Sequence, residues 1–155
     1  MPSQSCRTRL AATPEQAYDY LSTPARWHEW HAASLGTVPD APRSLPAGAT
    51  FEENIRAAGF RRRLRWQVVA AQRPAHWEAV ATMDDGSGLR LRYDFAAAAA
   101  GDGDGTQFTR TLDYTLRPLW LRVVDAVFGR RRIRRETAAA MLALQRQFAQ
   151  RAPPG

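Results

Sequence analysis

Between Thr50 and Leu116 the chain alternates apolar and polar residues with a period of two, the pattern of strands that turn one face to a core. Phe51, Glu53, Ile55 and Ala57 share one face. After a turn at Gly59, Phe60, Arg62, Leu64, Trp66 and Val68 share a face, with Arg61, Arg63, Arg65 and Gln67 opposite. Pro74 ends that strand, and Trp77, Ala79, Ala81 and Met83 open the next. Asp84-Asp85-Gly86-Ser87-Gly88 reads as a turn, because Gly and Asp supply the positive φ and local hydrogen bonds that tight turns need. Leu89, Leu91, Tyr93 and Phe95 then oppose Arg90, Arg92 and Asp94. Beyond a loop at Ala96–Gly105, Phe108, Arg110, Leu112, Tyr114 and Leu116 oppose Thr109, Thr111, Asp113 and Thr115. Half-apolar strands on short turns predict an antiparallel sheet with one wet face.

The flanks follow a helical period. Gln4 to Ala11 alternates weakly, as a first strand. Thr13-Pro14-Glu15-Gln16 then starts a helix: Thr13 caps, Pro14 takes the first turn where its missing N–H costs nothing, and Gln16 completes a capping box. Ser22-Thr23-Pro24 ends it and begins a second short helix carrying Trp27 and Trp30. From Pro118 to about Arg151 the composition is helical, in two phases. Trp120, Val123, Val124 and Val127 define one face; Ile133, Thr137, Met141, Leu144 and Phe148 define another, rotated by roughly a quarter-turn. Gly129 stands at the change, which predicts a short helix, a kink or break there, and then a long helix packed on the sheet.

Length narrows the organisation. With 155 residues, no repeat and no linker, the chain reads as one domain over 1–151 with a frayed tail, 152–155. One cysteine, Cys6, cannot form an internal disulfide, and Met1 to Leu10 lacks the apolar run of a signal peptide, so a cytoplasmic setting is expected. No stretch approaches the roughly 20 apolar residues of a membrane helix.

Charge adds a second question. The net charge is +7, and all 22 basic residues are arginine. Absence of lysine beside abundant alanine points to codon bias as much as to a binding patch, and no nucleic-acid partner is expected. Arg130, Arg131, Arg132, Arg134 and Arg135 at the start of the long helix are a candidate for weak anionic membrane contact, or a solvated collar.

The segment from Ala12 to His31, with Thr13-Pro14-Glu15-Gln16-Ala17-Tyr18 and Pro24-Ala25-Arg26-Trp27-His28-Glu29-Trp30-His31, resembles the opening of the polyketide cyclase/dehydrase branch of the START-like (SRPBCC) superfamily. Pro46-Ala47-Gly48-Ala49-Thr50-Phe51, Leu64-Arg65-Trp66-Gln67-Val68-Val69 and Gly105-Thr106-Gln107-Phe108-Thr109-Arg110-Thr111 are similar to it as well. The resemblance implies an α+β helix-grip fold: a curved antiparallel sheet of seven strands around a long C-terminal helix, with two short helices between strands one and two. It also implies a cavity between sheet and helix, which different members use for lipids, polyketides, steroids, hormones or nothing yet identified. The fold does not choose among these.

The inward face then presents Phe60, Leu64, Trp66, Trp77, Met83, Leu91, Tyr93, Phe95, Leu112 and Tyr114 toward Met141, Leu144 and Phe148, either as a ligand cavity or as filled core. Glu53, Arg62 and Arg110 fall on the same face. A buried charge needs a partner, so these form an internal pair, flip outward, or anchor a ligand carboxylate, carbonyl or hydroxyl. The candidate ligand residues are therefore Glu53, Arg62, Leu64, Trp66, Trp77, Tyr93, Arg110, Tyr114, Met141 and Leu144. His28 and His31 stand beside Trp27 and Trp30 near an expected entrance. No metal set, nucleophile–base pair or phosphate loop is legible, so no metal, cofactor or catalytic residue is assigned. The leading function is a carrier or sensor of an apolar or amphipathic small molecule. The alternative is an aromatase/cyclase-type enzyme in which Glu53, Tyr93 or Tyr114 moves protons, and a weaker one is a peripheral membrane or RNA-binding protein.

Overall fold

In the computed structural model residues 3–57, 60–99, 105–117 and 130–151 are described. The expected turn at Gly59, the inward side chain of Phe60, the tip of the loop at 100–104, the face from Trp120 to Val127, the break at Gly129 and the tail lie outside the described residues.

Strand β1 (Ser3–Leu10) leads into α1 (Pro14–Leu21), a 3₁₀ helix (Pro24–Glu29) and β2 (Ser34–Val38). Five strands follow: β3 (Thr50–Ala57), β4 (Phe60–Gln72), β5 (His76–Thr82), β6 (Gly88–Ala97) and β7 (Thr106–Thr115). Helix α2 spans Arg130–Arg151. The sheet order is β1-β7-β6-β5-β4-β3-β2, every pair antiparallel, so the two edge strands are those flanking the short helices. Such a sheet, curled into a half-barrel, with a helix along its inner side is the helix-grip arrangement.

Local chemistry explains the helix starts. The Thr13 Oγ1 accepts the Gln16 backbone N–H at 3.2 Å, and the Gln16 Oε1 accepts the Thr13 N–H at 3.0 Å, a complete capping box. Pro24 opens the 3₁₀ helix directly after Ser22 has turned its hydroxyl back to the Tyr18 carbonyl at 2.6 Å. The turn between β5 and β6 closes through Gly86 at φ 82°, with Asp85 accepting the Ser87 N–H at 2.8 Å.

Alternation sets the core. Phe51, Leu64, Trp66, Val68, Trp77, Leu91, Tyr93, Phe95, Phe108 and Tyr114 are buried on one side of the sheet, and Ala140, Met141, Leu144 and Phe148 are buried on α2. Trp27 sits among them with its ring edge-on to Phe51, Trp66, Trp77 and Tyr93, centroids 5.6 to 6.3 Å apart. Its indole N–H donates to the Leu21 carbonyl at 2.9 Å, so the aromatic body is buried without an orphaned donor. Gln145 donates to the Arg9 carbonyl and Gln4 to the Arg130 carbonyl, each at 3.5 Å, so α2 runs alongside β1 in the same direction.

Candidate functional site

The chemistry on the inner side begins with Glu53. Strict alternation turns it inward between Phe51 and Ile55, where it is 5% exposed. Its neighbour across to β4 is Leu64, and on β2 it is Thr37. The Trp66 indole N–H donates to its Oε2 at 2.8 Å. Burial raises the carboxyl from 4.5 to about 7, against the opposing influence of the Ser34 hydroxyl, the Trp66 N–H and the Arg110 charge. The Ser34 hydroxyl favours the charged form without reaching regular hydrogen-bond geometry.

Arg110 approaches from β7, four strands away along the sheet, and curvature brings the two within electrostatic reach. It is 8% exposed, and its Nε is buried without a hydrogen-bond partner among the described residues. Its charge acts on two further groups. The Tyr93 phenol, paired across to Arg110 between β6 and β7, is pushed up by burial against the pull of that charge. It is thus a neutral hydroxyl at ordinary pH. His31, just after the 3₁₀ helix, keeps part of its surface at the rim, yet burial of the ring first and then Arg110 hold it down to about 3, so it is neutral as well.

Buried polar atoms gather in this corner. The Trp30 Nε1, Ser34 Oγ, Thr37 Oγ1 and Arg110 Nε all lack partners among the described residues. Trp30 stacks edge-on to His31 at 5.7 Å, Thr37 is in register with Glu53, and Ser34 and Arg110 both act on Glu53. Each orphaned donor or acceptor costs free energy unless something meets it, so a cluster of them marks a place where a polar group belongs. A cation, a proton-holding carboxyl, a phenol and a neutral imidazole together can bind the oxygen end of an otherwise apolar molecule.

Leu64, Trp66, Trp77, Tyr93, Tyr114, Met141 and Leu144 are all buried on this inner side. Met83 and Leu112 are half-buried and pack against it. Arg62 takes the outward ion-pair alternative: its Nη1 lies 3.0 Å from Asp85 in the turn between β5 and β6, and its side chain is 30% exposed. The reason is its place along the strand, opposite Ile55 and near the end of the sheet, where the turn supplies a carboxylate. Sequence reasoning missed Ser34, Thr37 and the coupling of His31 to Arg110; β2 is too short and too interrupted at Gly36 to show a period. An open groove of about 510 Å³ is bordered by Val38, Glu52, Arg65, Gln67, Val80 and Thr82 together with Phe51 and Trp66; neither Glu53 nor Arg110 lines it.

Comparison with known proteins gives a consistent picture. The pattern of a family described as polyketide cyclase / dehydrase and lipid transport matches residues 4–149. A solved structure from Rhodobacter sphaeroides is 21% identical, with TM-score 0.71 over 97% of this chain and 93% of that one. A START superfamily protein from Mycobacterium smegmatis is 14% identical, with TM-score 0.68 over 97% and 99%. A protein from Thermus thermophilus is 13% identical, with TM-score 0.74 over 98% and 100%. Among curated proteins none matches. At these identities the structural likeness speaks for the fold.

Proposed function

The chain belongs to the polyketide cyclase/dehydrase and lipid transport family, and from that premise we propose that it is a cytoplasmic carrier or sensor holding one amphipathic small molecule between the sheet and α2. Family and fold support hydrophobic ligand binding in general. The finer reading is that the apolar body lies against Leu64, Trp66, Trp77, Tyr114, Met141 and Leu144, and an oxygen-bearing end meets Arg110, Tyr93 and Glu53. The observation that carries it is the buried Arg110 Nε, a charged donor without an acceptor among the described residues. A guanidinium in that state gains most from a carboxylate, which it can grip with two parallel hydrogen bonds.

Native mass spectra of the purified protein, compared with its organic-extracted form, test for a co-purified molecule. Oleate and oleyl alcohol then serve as probes differing in the oxygen end alone. Oleate is expected to bind more tightly, and Arg110→Met to abolish the preference while leaving alcohol binding in place. Equal affinities in the unaltered protein would refute the anchor.

One observation favours a second reading, an aromatase/cyclase-type enzyme. A carboxyl held at about 7 suits proton transfer at neutral pH, and Glu53 is such a group beside a cation that can stabilise a developing enolate. Tyr93 or Tyr114 would donate the proton. Turnover of a poly-β-carbonyl compound, lost in Glu53→Gln, would establish it.

A further inference from the structure

One end of the molecule carries cations that no carboxylate among the described residues neutralises. Because α2 starts beside the beginning of β1 and the sheet is antiparallel throughout, the end of β3, the beginning of β4 and the first turns of α2 lie at the same end. There Arg56 stands directly opposite Arg61, both backbone positions outward, and like charges in that relation are destabilising. On α2, Arg131, Arg134 and Arg135 are exposed, and Arg131 repels Arg135 across one turn. Glu136 is engaged by Arg132 at 3.1 Å. Among the described residues no carboxylate lies within ion-pair distance of Arg56, Arg61, Arg131, Arg134 or Arg135.

Other arginines are matched, some of them at this same end: Arg62 meets Asp85 at 3.0 Å, Arg65 meets Asp84 at 2.8 Å and Arg63 meets Glu52 at 3.8 Å. Arg73 meets Asp19 at 2.8 Å and Arg26 meets Glu29 at 3.9 Å at the opposite end, and Arg92 meets Asp113 at 2.8 Å on the outer face. After these pairings the described residues of this end still hold Arg56, Arg61, Arg131, Arg134 and Arg135 without a carboxylate, concentrated on the β3–β4 pair and α2. An anionic partner outside the chain would relieve the repulsion among these five.

We infer that this end docks on an anionic lipid surface. The choice of lipid over RNA rests on the proposed amphipathic cargo, which resides in membranes, and on the spread of the cations over the β3–β4 pair and α2 with no exposed aromatic ring among the described residues there to stack a base. Contact is peripheral: among the described residues no helix is long and apolar enough to cross a membrane. Arginines near such a surface act through the headgroup charge and are screened by salt.

The test is co-sedimentation of the full chain with vesicles of phosphatidylcholine alone and of phosphatidylcholine mixed equally with phosphatidylglycerol. Binding is expected to the mixed vesicles, to weaken as ionic strength rises, and to fall about tenfold or more in the triple variant R131E/R134E/R135E. The variant R9E/R43E/R146E, with the same change of charge away from that end, is expected to bind nearly as the unaltered protein does. Equal losses in both variants, binding to phosphatidylcholine alone, or removal from vesicles by single-stranded RNA at equal phosphate would each overturn the inference. R131Q/R134Q/R135Q keeps the test open if charge reversal unfolds the helix, as a thermal melt would reveal. Oleate affinity in the absence of vesicles is measured on the same variants. Its retention while vesicle binding is lost separates the docking face from the cavity, and absence of oleate binding in the unaltered protein would count against the cargo reading alone.

Discussion

Glu53 offers the sharpest quantitative check, because one substitution changes its charge and little else. In the folded chain its carboxyl is raised from 4.5 to about 7, chiefly by burial. Below the lower value both folded and unfolded chains hold the proton, and the group costs nothing. As pH rises between the two values, the unfolded chain releases the proton and the folded chain keeps it, so stability falls. Above the higher value the loss is complete, about 3 kcal/mol for a separation of this size. Glu53→Gln keeps the volume and an oxygen to accept the Trp66 N–H, now 2.8 Å away, while removing the buried charge. It also removes a counter-charge from Arg110, but that influence is last among those acting on Glu53, behind burial. The variant is therefore expected to melt roughly 6–12 °C above the unaltered protein at about pH 8 and to match it at about pH 4. Thermal melts of ligand-free protein across that range, read as the difference between the two proteins at each pH, cancel the titration of surface carboxylates. A difference that stays constant with pH, or an unaltered protein that is the more stable at high pH, would refute the placement of this carboxyl in a dry interior.

Two further substitutions probe the frame that holds the site. Leu144 is fully buried on α2, so Leu144→Ala is expected to cost about 2–5 kcal/mol in a urea titration; a much smaller loss would mean that the inner side collapses around the gap. Thr13→Ala removes the capping box and is expected to cost about 1 kcal/mol in the same assay, with no effect on oleate binding, since Thr13 is exposed and its side chain bonds within the helix start.

How far the sequence reveals this molecule depends on the range of the interaction that decides each feature. Strand faces are decided between neighbours two residues apart, and among the described residues from Phe51 to Tyr114 the apolar phase that the alternation marks is the buried or half-buried one, with Arg62 drawn to Asp85. The capping box at Thr13 and the turn at Gly86 are local in the same sense. The family resemblance supplies what periodicity cannot, the closure of seven strands around one helix. The fate of individual charges is decided at longer range. Arg62 and Arg110 share the inward phase of their strands, and nothing within a few residues of either distinguishes them. One stands near the sheet's end, where Asp85 is available, and is partly exposed; the other stands mid-strand, beneath the curl, where Glu53, Tyr93 and His31 converge from three other segments.

The same reasoning explains why the site's polar corner was only half legible. Glu53 is visible as a charge in an apolar phase. Ser34 and Thr37 carry no such contrast, because hydroxyls are unremarkable in a short edge strand. They acquire meaning when β2 pairs with β3 and sets Thr37 in register with Glu53. Their hydroxyls and the Arg110 Nε, all unmet among the described residues, then become one feature rather than three. A protein whose inner side served packing alone would gain by replacing each of these with an apolar residue of similar size, since an unpaired buried polar group costs more than the hydrogen bond it forgoes. That they stand together, around a carboxyl poised to hold or release its proton near neutral pH, is the physical ground for reading this corner as the place where the polar end of a ligand is received.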